Sequence, residues 1–263
     1  MFEKIKAYEK LLRAAGKFMK ENKENYLNYC ATHQHQVKSK ADKDINQMLL
    51  EGIHKISGSL FVISEESENM PSKEDIKRAD ECFIIDPIDG TASYVGGFLG
   101  YVTQIAYLQR GTPIFSLVYS PEKDDMYVAC KGRGAYLNGV RVFTKKTLEN
   151  IIFIDNTPHP SVKIVDFMKK HDNASYVECG SIGLKICKVA SGDANIFYKD
   201  VTIRDWDVIP PALILEEAGG AVTSLSGEKM NYFSDDTFSH HGLIAISAPP
   251  YVNRFIKRGK NND

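Results

Sequence analysis

The sequence predicts a mixed α/β fold built in two styles, an α+β front half followed by an α/β rear half. Three observations predict it. Two helix-periodic segments open the chain; short β-rich segments separated by turn residues then fill residues 82–138; and from about residue 150 strands alternate with helices. The change of style falls near residue 145. No Pro/Gly/Ser linker marks it, so residues 1–145 and 146–263 are expected to form one compact unit.

The elements follow in order. Residues 2–21 set Phe2, Ile5, Leu11, Leu12, Ala15, Phe18 and Met19 close to a helical stripe, and residues 42–54 repeat this with Ile45, Met48, Leu49 and Ile53. Leu60-Phe61-Val62-Ile63 reads as a strand that delivers Ser64-Glu65-Glu66 at its end, and the polar stretch 67–81 reads as a loop. Strands follow at 82–86, 102–108, 113–119, 126–130 and 135–138, with Gly132, Gly134 and Asn138-Gly139 marking tight turns. The rear half reads as strand 151–155, helix 161–170, strand 175–179, helix 181–191, strand 194–198, helix 206–218, strands 221–225 and 242–247, and helix 250–258.

Composition narrows the function classes. With 43% hydrophobic residues, 25% charged residues and a net charge of -1 over 263 residues, the chain has the composition of an ordinary globular protein. It has no basic excess to neutralise many phosphates, so DNA is not an expected partner. A small anionic ligand needs only a local cationic site. Cys30, Cys82, Cys130, Cys179 and Cys187 are scattered and odd in number, which argues against a disulfide framework or zinc site. Lys4, Lys6, Glu9, Lys10 and Arg13 interrupt the N-terminal segment, so no signal peptide is expected, and no window approaches the roughly 20 apolar residues of a membrane span. A cytoplasmic location is the expectation. His33, His35, His240 and His241 read as loop or surface residues, without the spacing of a zinc or triad site.

The chemistry is expected where strands and helices meet carboxylates. Phe83-Ile84-Ile85 reads as a buried strand that stops at Asp86-Pro87-Ile88-Asp89-Gly90-Thr91, since Pro87 and Gly90 oppose its continuation. Both carboxylates then share one lip, where oxygen ligands suit Mg²⁺, and Gly90 and Thr91 can offer backbone N–H groups to an anion. An ordinary Asp-rich turn is the alternative. Glu65-Glu66 taken alone reads better as a solvated loop. Asp205 and Asp207 open a helix, where capping and the helix dipole also favour them; Pro210 and Pro211 are placed in its first turn, where missing N–H groups cost nothing. Carboxylates from several chain-distant element ends match the needs of a two-metal phosphoryl site.

Ser64-Glu65-Glu66-Ser67, Asp86-Pro87-Ile88-Asp89-Gly90-Thr91, and Trp206-Asp207 followed by Glu216-Glu217-Ala218-Gly219-Gly220 resemble the inositol monophosphatase family in order and spacing. Ala41-Asp42 and the Gly132–Gly139 hairpin extend the resemblance over nearly the whole chain. It implies the layered αβαβα sandwich of that superfamily, a small phosphorylated substrate, two or three Mg²⁺ ions, lithium sensitivity and a homodimer. It implies Glu65, Asp86, Asp89, Asp207 and the Ile88 carbonyl as metal ligands. Gly90 and Thr91 would hold phosphate, with Asp89 and Asp207 also facing substrate; Glu65, Thr91 and Asp42 would be the catalytic set, the Thr91–Asp42 pair orienting water.

For the substrate, Ser181-Ile182-Gly183-Leu184-Lys185-Ile186-Cys187, Gly192-Asp193-Ala194 and Pro211-Ala212-Leu213-Ile214-Leu215 resemble the 3'(2'),5'-bisphosphate nucleotidase branch. Lys185 could there meet a second phosphate, or be a solvent-facing helix lysine. Thr91-Ala92-Ser93-Tyr94 resembles the inositol branch instead. Hydrolysis of the 3'-phosphate of adenosine 3',5'-bisphosphate is the leading expectation, inositol monophosphatase activity the next, and a regulatory binding protein the reading from another class.

Overall fold

The computed structural model describes residues 2–32, 40–67, 70–98, 100–156 and 159–256, with side chains at all of these except 2, 27–32 and 77. His33 and His35 lie outside the described residues, as does the end of the helix expected over 250–258. Helix α1 (Phe2–Thr32) continues beyond the expected 2–21, because Asn22 to Asn25 are polar but contain no glycine or proline to stop it. It buries Ile5, Tyr8, Leu12, Ala15, Met19 and Tyr26, spaced three, four or seven residues apart on one face. Helix α2 (Lys40–Ser57) adds Ala41, Ile45, Leu49 and Ile53 to the same core.

These two helices cover one face of a seven-stranded sheet. Strand β1 (Phe61–Ser64) lies parallel to β2 (Glu81–Asp89), and helix α3 (Lys73–Arg78) sits between them in the segment expected to be loop. Its Ser72 N-cap accepts from Asp75 N while Asp75 reaches back, a capping box that the Ser-x-x-Asp spacing carried. Short helix α4 (Thr91–Val95) follows β2, and then β3 (Val102–Gln109), β4 (Thr112–Ser120), β5 (Asp125–Cys130), β6 (Gly134–Leu137) and β7 (Val140–Val142) form an antiparallel meander. Strand β7 was not expected; three residues are too few to show alternation.

In the rear half, β8 (Ile151–Asp155), α5 (Val162–Met168), β9 (Ala174–Glu178), α6 (Ile182–Ala190), β10 (Ile196–Arg204), α7 (Asp205–Glu217), β11 (Ala221–Thr223) and β12 (Ser239–Ile246) precede a 3-10 turn at Pro249–Arg254. The second sheet has the order β11-β12-β10-β8-β9. Helices α6 and α7 fill the space between the sheets: Leu184, Val189, Val208, Ala212 and Leu215 pack with Val102, Val118 and Tyr127 of the first and Ile154, Phe197 and Ala245 of the second. On the far side Phe153, Ile196, Tyr198 and Ile244 meet Ile164 and Phe167 of α5 and Phe255. The layers therefore run helix, sheet, helix, sheet, helix, with the carboxylate-bearing ends of β2 and α7 converging at the first sheet. Cys82, Cys130, Cys179 and Cys187 are buried free thiols. Among the described residues no helix is long and apolar enough to cross a membrane.

Candidate functional site

Strand β2 does not stop at Asp86. It continues through Pro87 to Asp89, and its register with β3 slips between Asp86, opposite Gln104, and Asp89, opposite Val102. Three steps on β2 are thus matched by two on β3, a one-residue bulge that accommodates the missing N–H of Pro87. The bulge decides the site. Residues three apart on a regular strand face opposite ways, whereas one extra residue returns the second to the side of the first. Cys82 and Ile84 pack on the α7 side with Trp206 and Ile209, while Phe83, Ile85 and Ile88 face α1 and α2. Asp86 and Asp89 share the α7 side, and with Asp207 they bring one carboxylate oxygen each within 4.8 Å of one another.

Glu65 occupies a turn at the end of β1, half-buried beside this group. Ser64 sets that turn: its hydroxyl donates to Asn46 Oδ1 of α2 at 2.6 Å and accepts from Glu66 N at 3.2 Å. Gly90 adopts φ 90°, ψ 35°, the left-handed conformation that lets β2 turn directly into α4. Thr91 opens that helix, and its hydroxyl lies 2.9 Å from the Ile88 carbonyl oxygen and 3.1 Å from Asp42 Oδ1. One proton serves one of those acceptors at a time, so the lone pairs of Thr91 Oγ1 remain able to accept from a third group. Asp42 is itself 3% exposed, in the first turn of α2, where a negative charge is favoured by the helix N-terminus.

Asp89 is held by α6. Its Oδ2 accepts from Gly183 N at 2.5 Å and its Oδ1 from Ile182 N at 3.2 Å, while Ser181 caps the helix by accepting from Leu184 N. A side chain at Gly183 would put Cβ 2.4 Å from Gln104 Oε1 and 2.9 Å from Asp89 Oδ2, so the close approach depends on glycine. The sequence signal was present in Ser181-x-x-Leu184 with a glycine inside an apolar helix, but nothing in it named Asp89 as the target.

Lys185 is not at a substrate-facing surface, nor is it solvent-facing. It is 1% exposed, its ammonium donates to Asn156 Oδ1 at 2.7 Å and to Gly180 O at 3.4 Å, and it lies over the Phe197 ring. Burial pushes its pKa down from the usual lysine value. Helix α6 is enclosed between the two sheets, so Lys185 turns inward to polar partners behind Asp89, while Lys188, the other lysine of the helix, pairs with Asp193.

Helix α7 begins at Asp205, so Pro210 and Pro211 are its sixth and seventh residues and lie past the first turn in which they were expected. Pro210 therefore leaves the Trp206 carbonyl without its intrahelical donor. Gln104, fully buried on β3 directly opposite Asp86, supplies one: its Nε2 donates to Trp206 O at 2.9 Å. At the same helix start Asp207 Oδ2 accepts from Arg204 N at 2.8 Å. Sequence reasoning missed Gln104, because its role exists only through a proline 106 residues away.

The three carboxylates strain one another. Burial, and then the charges of Asp89, Glu65, Asp207 and Asp42, hold the Asp86 carboxyl well above the usual range. Burial also raises Asp207, with Asp89 adding to it and the Arg204 N–H opposing. Asp89 is raised to about 6 by burial, against the pull of the Gly183 and Ile182 amides and the Lys185 charge. Both Asp86 oxygens are buried with no hydrogen-bond partner among the described residues. A carboxylate so enclosed calls for a cation, and an all-oxygen donor set of this kind suits a hard divalent ion such as Mg²⁺.

Layered αβαβα architecture with clustered carboxylates at the β2–α7 junction defines the phosphatase class to which the comparisons also lead. The chain belongs to the inositol monophosphatase family, whose model matches residues 3–255. It is 29% identical over 224 residues to the fructose-1,6-bisphosphatase/inositol-1-monophosphatase of Thermotoga maritima, covering 82% of each chain. It is 28% identical over 225 residues to the Nus factor SuhB of Pasteurella multocida, covering 82% of this chain and 80% of the relative. The extragenic suppressor protein suhB of Bartonella henselae has the same fold, with a TM-score of 0.78, 22% identity, and coverage of 97% and 98% of the two chains. Family members are phosphatases that hydrolyse small phosphomonoesters and depend on divalent metal.

Proposed function

We propose that the chain is a Mg²⁺-dependent phosphomonoesterase that acts on an inositol monophosphate, with Asp86, Asp89, Asp207, Glu65 and the Ile88 carbonyl holding two or three ions. The observation that carries the metal reading is Asp86, wholly enclosed beside two further carboxylates and without a donor to either oxygen among the described residues. Bound divalent ions supply Lewis acidity toward phosphoryl oxygens and lower the pKa of water. The chain's own part is positional and basic. Gly90 and Thr91 at the start of α4 present backbone amides for an anion. Thr91 Oγ1 accepts a proton from the attacking water while passing its own toward Asp42, so the hydroxyl–carboxylate pair both orients the nucleophile and disperses its charge. Direct attack by water needs no side-chain nucleophile.

The substrate order differs from the leading sequence expectation. A second phosphate was to meet Lys185, and its burial against Asn156 and Gly180 withdraws that support. The Thr91-Ala92-Ser93-Tyr94 string favours an inositol phosphate, and inositol-1-monophosphatase is one of the two activities in the name of the Thermotoga relative, the other being fructose-1,6-bisphosphatase. Phosphate release from inositol 1-phosphate and from adenosine 3',5'-bisphosphate, at saturating Mg²⁺, tests this. A higher kcat/KM for inositol 1-phosphate is expected; preference for the bisphosphate returns the nucleotidase reading.

The name Nus factor on the Pasteurella relative favours a second role as a regulatory binding protein, beside catalysis. Recovery of the same partner from lysate by wild-type and Asp86→Asn protein supports that role, and recovery of none removes it.

A further inference from the structure

The helix that carries Asp207 is anchored by a residue that touches neither the carboxylate cluster nor solvent. Asp205, the first residue of α7, is fully buried. An acidic residue at a helix start ordinarily serves the free amides, but here Asp207 already takes Arg204 N. Asp205 turns the other way. Its Oδ1 lies 2.5 Å from His240 Nε2, its Oδ2 accepts from Phe233 N at 2.9 Å, and its own N–H donates to Phe238 O at 2.9 Å. Arg204, just before it, donates through its guanidinium to Thr237 O at 2.5 Å and to Ser239 Oγ. Both residues ahead of Trp206-Asp207 are thus tied to segment 233–240, which is irregular until β12 begins at Ser239. His240 is fixed in turn, paired across the sheet with Ile203 and edge-on to the Tyr232 ring.

We propose that Asp205 and His240 are a positioning pair for Asp207, setting the start of α7 against β2 so that the Asp207 carboxylate meets those of Asp86 and Asp89. The inference rests on the reading of Asp207 as a cation ligand and extends it to two residues that touch no ion. The physical basis is the depth of Asp205. A buried carboxylate that loses its side-chain donor either draws in water or moves toward another donor, and each response shifts the helix terminus to which it belongs. Asp207 stands two residues along the helix, about 3 Å of rise, so a small displacement is passed on to it directly. Gln104 braces the neighbouring Trp206 carbonyl from β3, and the Asp205–His240 contact, together with the Arg204 bonds, braces the helix start from the opposite, β12 side.

Mn²⁺ binding to the full-length, substrate-free chain, read from loss of the free-ion EPR signal, tests the pair without reference to turnover. His240→Asn, too short to reach Asp205 Oδ1, and Asp205→Asn should each weaken binding by about tenfold, the size seen when groups behind a metal ligand are removed. His240→Gln, long enough to donate to the same oxygen, should bind close to wild type. Circular dichroism of each metal-free variant reads the fold separately, and having two weakened variants covers the failure of either to fold. Wild-type Mn²⁺ affinity in His240→Asn and Asp205→Asn, with Asp207→Asn impaired, overturns the positioning role alone. A folded His240→Gln as weak as His240→Asn overturns it too, because the donor and not the ring is what the pair requires. Wild-type affinity in Asp207→Asn overturns the ligand reading and the pair with it.

Discussion

Thr91 Oγ1 lies 3.1 Å from Asp42 Oδ1, although 49 residues separate the two in sequence. The contact joins the start of α4 to the start of α2 and sets a carboxylate behind a hydroxyl at the mouth of the acidic cluster. As a base pair acting on water it should be worth the ordinary range for proton transfer. Thr91→Ala is therefore expected to lower kcat by about 10²- to 10⁴-fold, with Thr91→Ser much less affected. Steady-state kinetics at saturating Mg²⁺ make the comparison, and equal activity in Thr91→Ala and wild type would remove the pair from catalysis.

Gln104 makes a prediction about stability. Replacing it with leucine keeps the volume nearly constant but leaves the Trp206 carbonyl, freed by Pro210, buried without a donor. A loss of about 1–3 kcal/mol is expected, the cost of one unsatisfied buried acceptor. Urea unfolding of Gln104→Leu measures it. Gln104→Leu combined with Pro210→Ala should recover part of the loss, since alanine returns an N–H to the same carbonyl.

Gly183 is where α6 touches Asp89. The Cβ of Gly183→Ala would press on both Gln104 Oε1 and Asp89 Oδ2, forcing the helix start away from the carboxylate it holds. Weaker Mg²⁺ affinity is the expected result, seen as a higher Mg²⁺ concentration at half-maximal rate. An unchanged Mg²⁺ profile would mean that Asp89 does not need the α6 amides.

The raised carboxyls give the metal-free chain a pH dependence of definite sign. Asp89, at about 6 in the fold against the ordinary aspartate value of 3.8, keeps a proton that the unfolded chain releases, and burial raises Asp86 and Asp207 in the same direction. Their contribution to stability is complete below the unfolded values and is lost as pH rises through the folded ones. Thermal midpoints without metal should thus fall between about pH 4 and pH 6, the span set by Asp89, and added Mg²⁺ should raise the midpoint more at the higher pH, where it no longer displaces protons. A metal-free midpoint that climbs over this range, equally in wild type and Asp86→Asn, would contradict the clustering of charges.

Much of this was legible in the chain. The periodicities of 2–21 and 42–54, the alternation after residue 150 and the motif strings at Glu65, Asp86, Asp89 and Asp207 located the helices, the two styles of sheet and the carboxylates that converge. What the sequence hid was relational. Pro87 read as a strand terminator, whereas β2 carries it in a bulge of one extra residue against β3 and pairs again at Asp89. Lys185 read as a surface or substrate lysine, since nothing local shows that α6 is enclosed between two sheets. Gln104 and His240 carried no motif at all; each matters only through a backbone or carboxyl group brought to it by tertiary packing.

The most direct measurement is phosphate release from inositol 1-phosphate by metal-stripped wild-type and Asp86→Asn protein as Mg²⁺ is added. Asp86 holds the most enclosed carboxylate of the cluster, and its neutral isostere removes a repulsive charge, so the metal-free variant should be at least as stable as wild type. Wild type should gain activity with Mg²⁺ while Asp86→Asn stays near background, a loss of about 10³-fold or more. A folded Asp86→Asn protein that hydrolyses the ester at the wild-type rate, with the same Mg²⁺ dependence, would contradict the account.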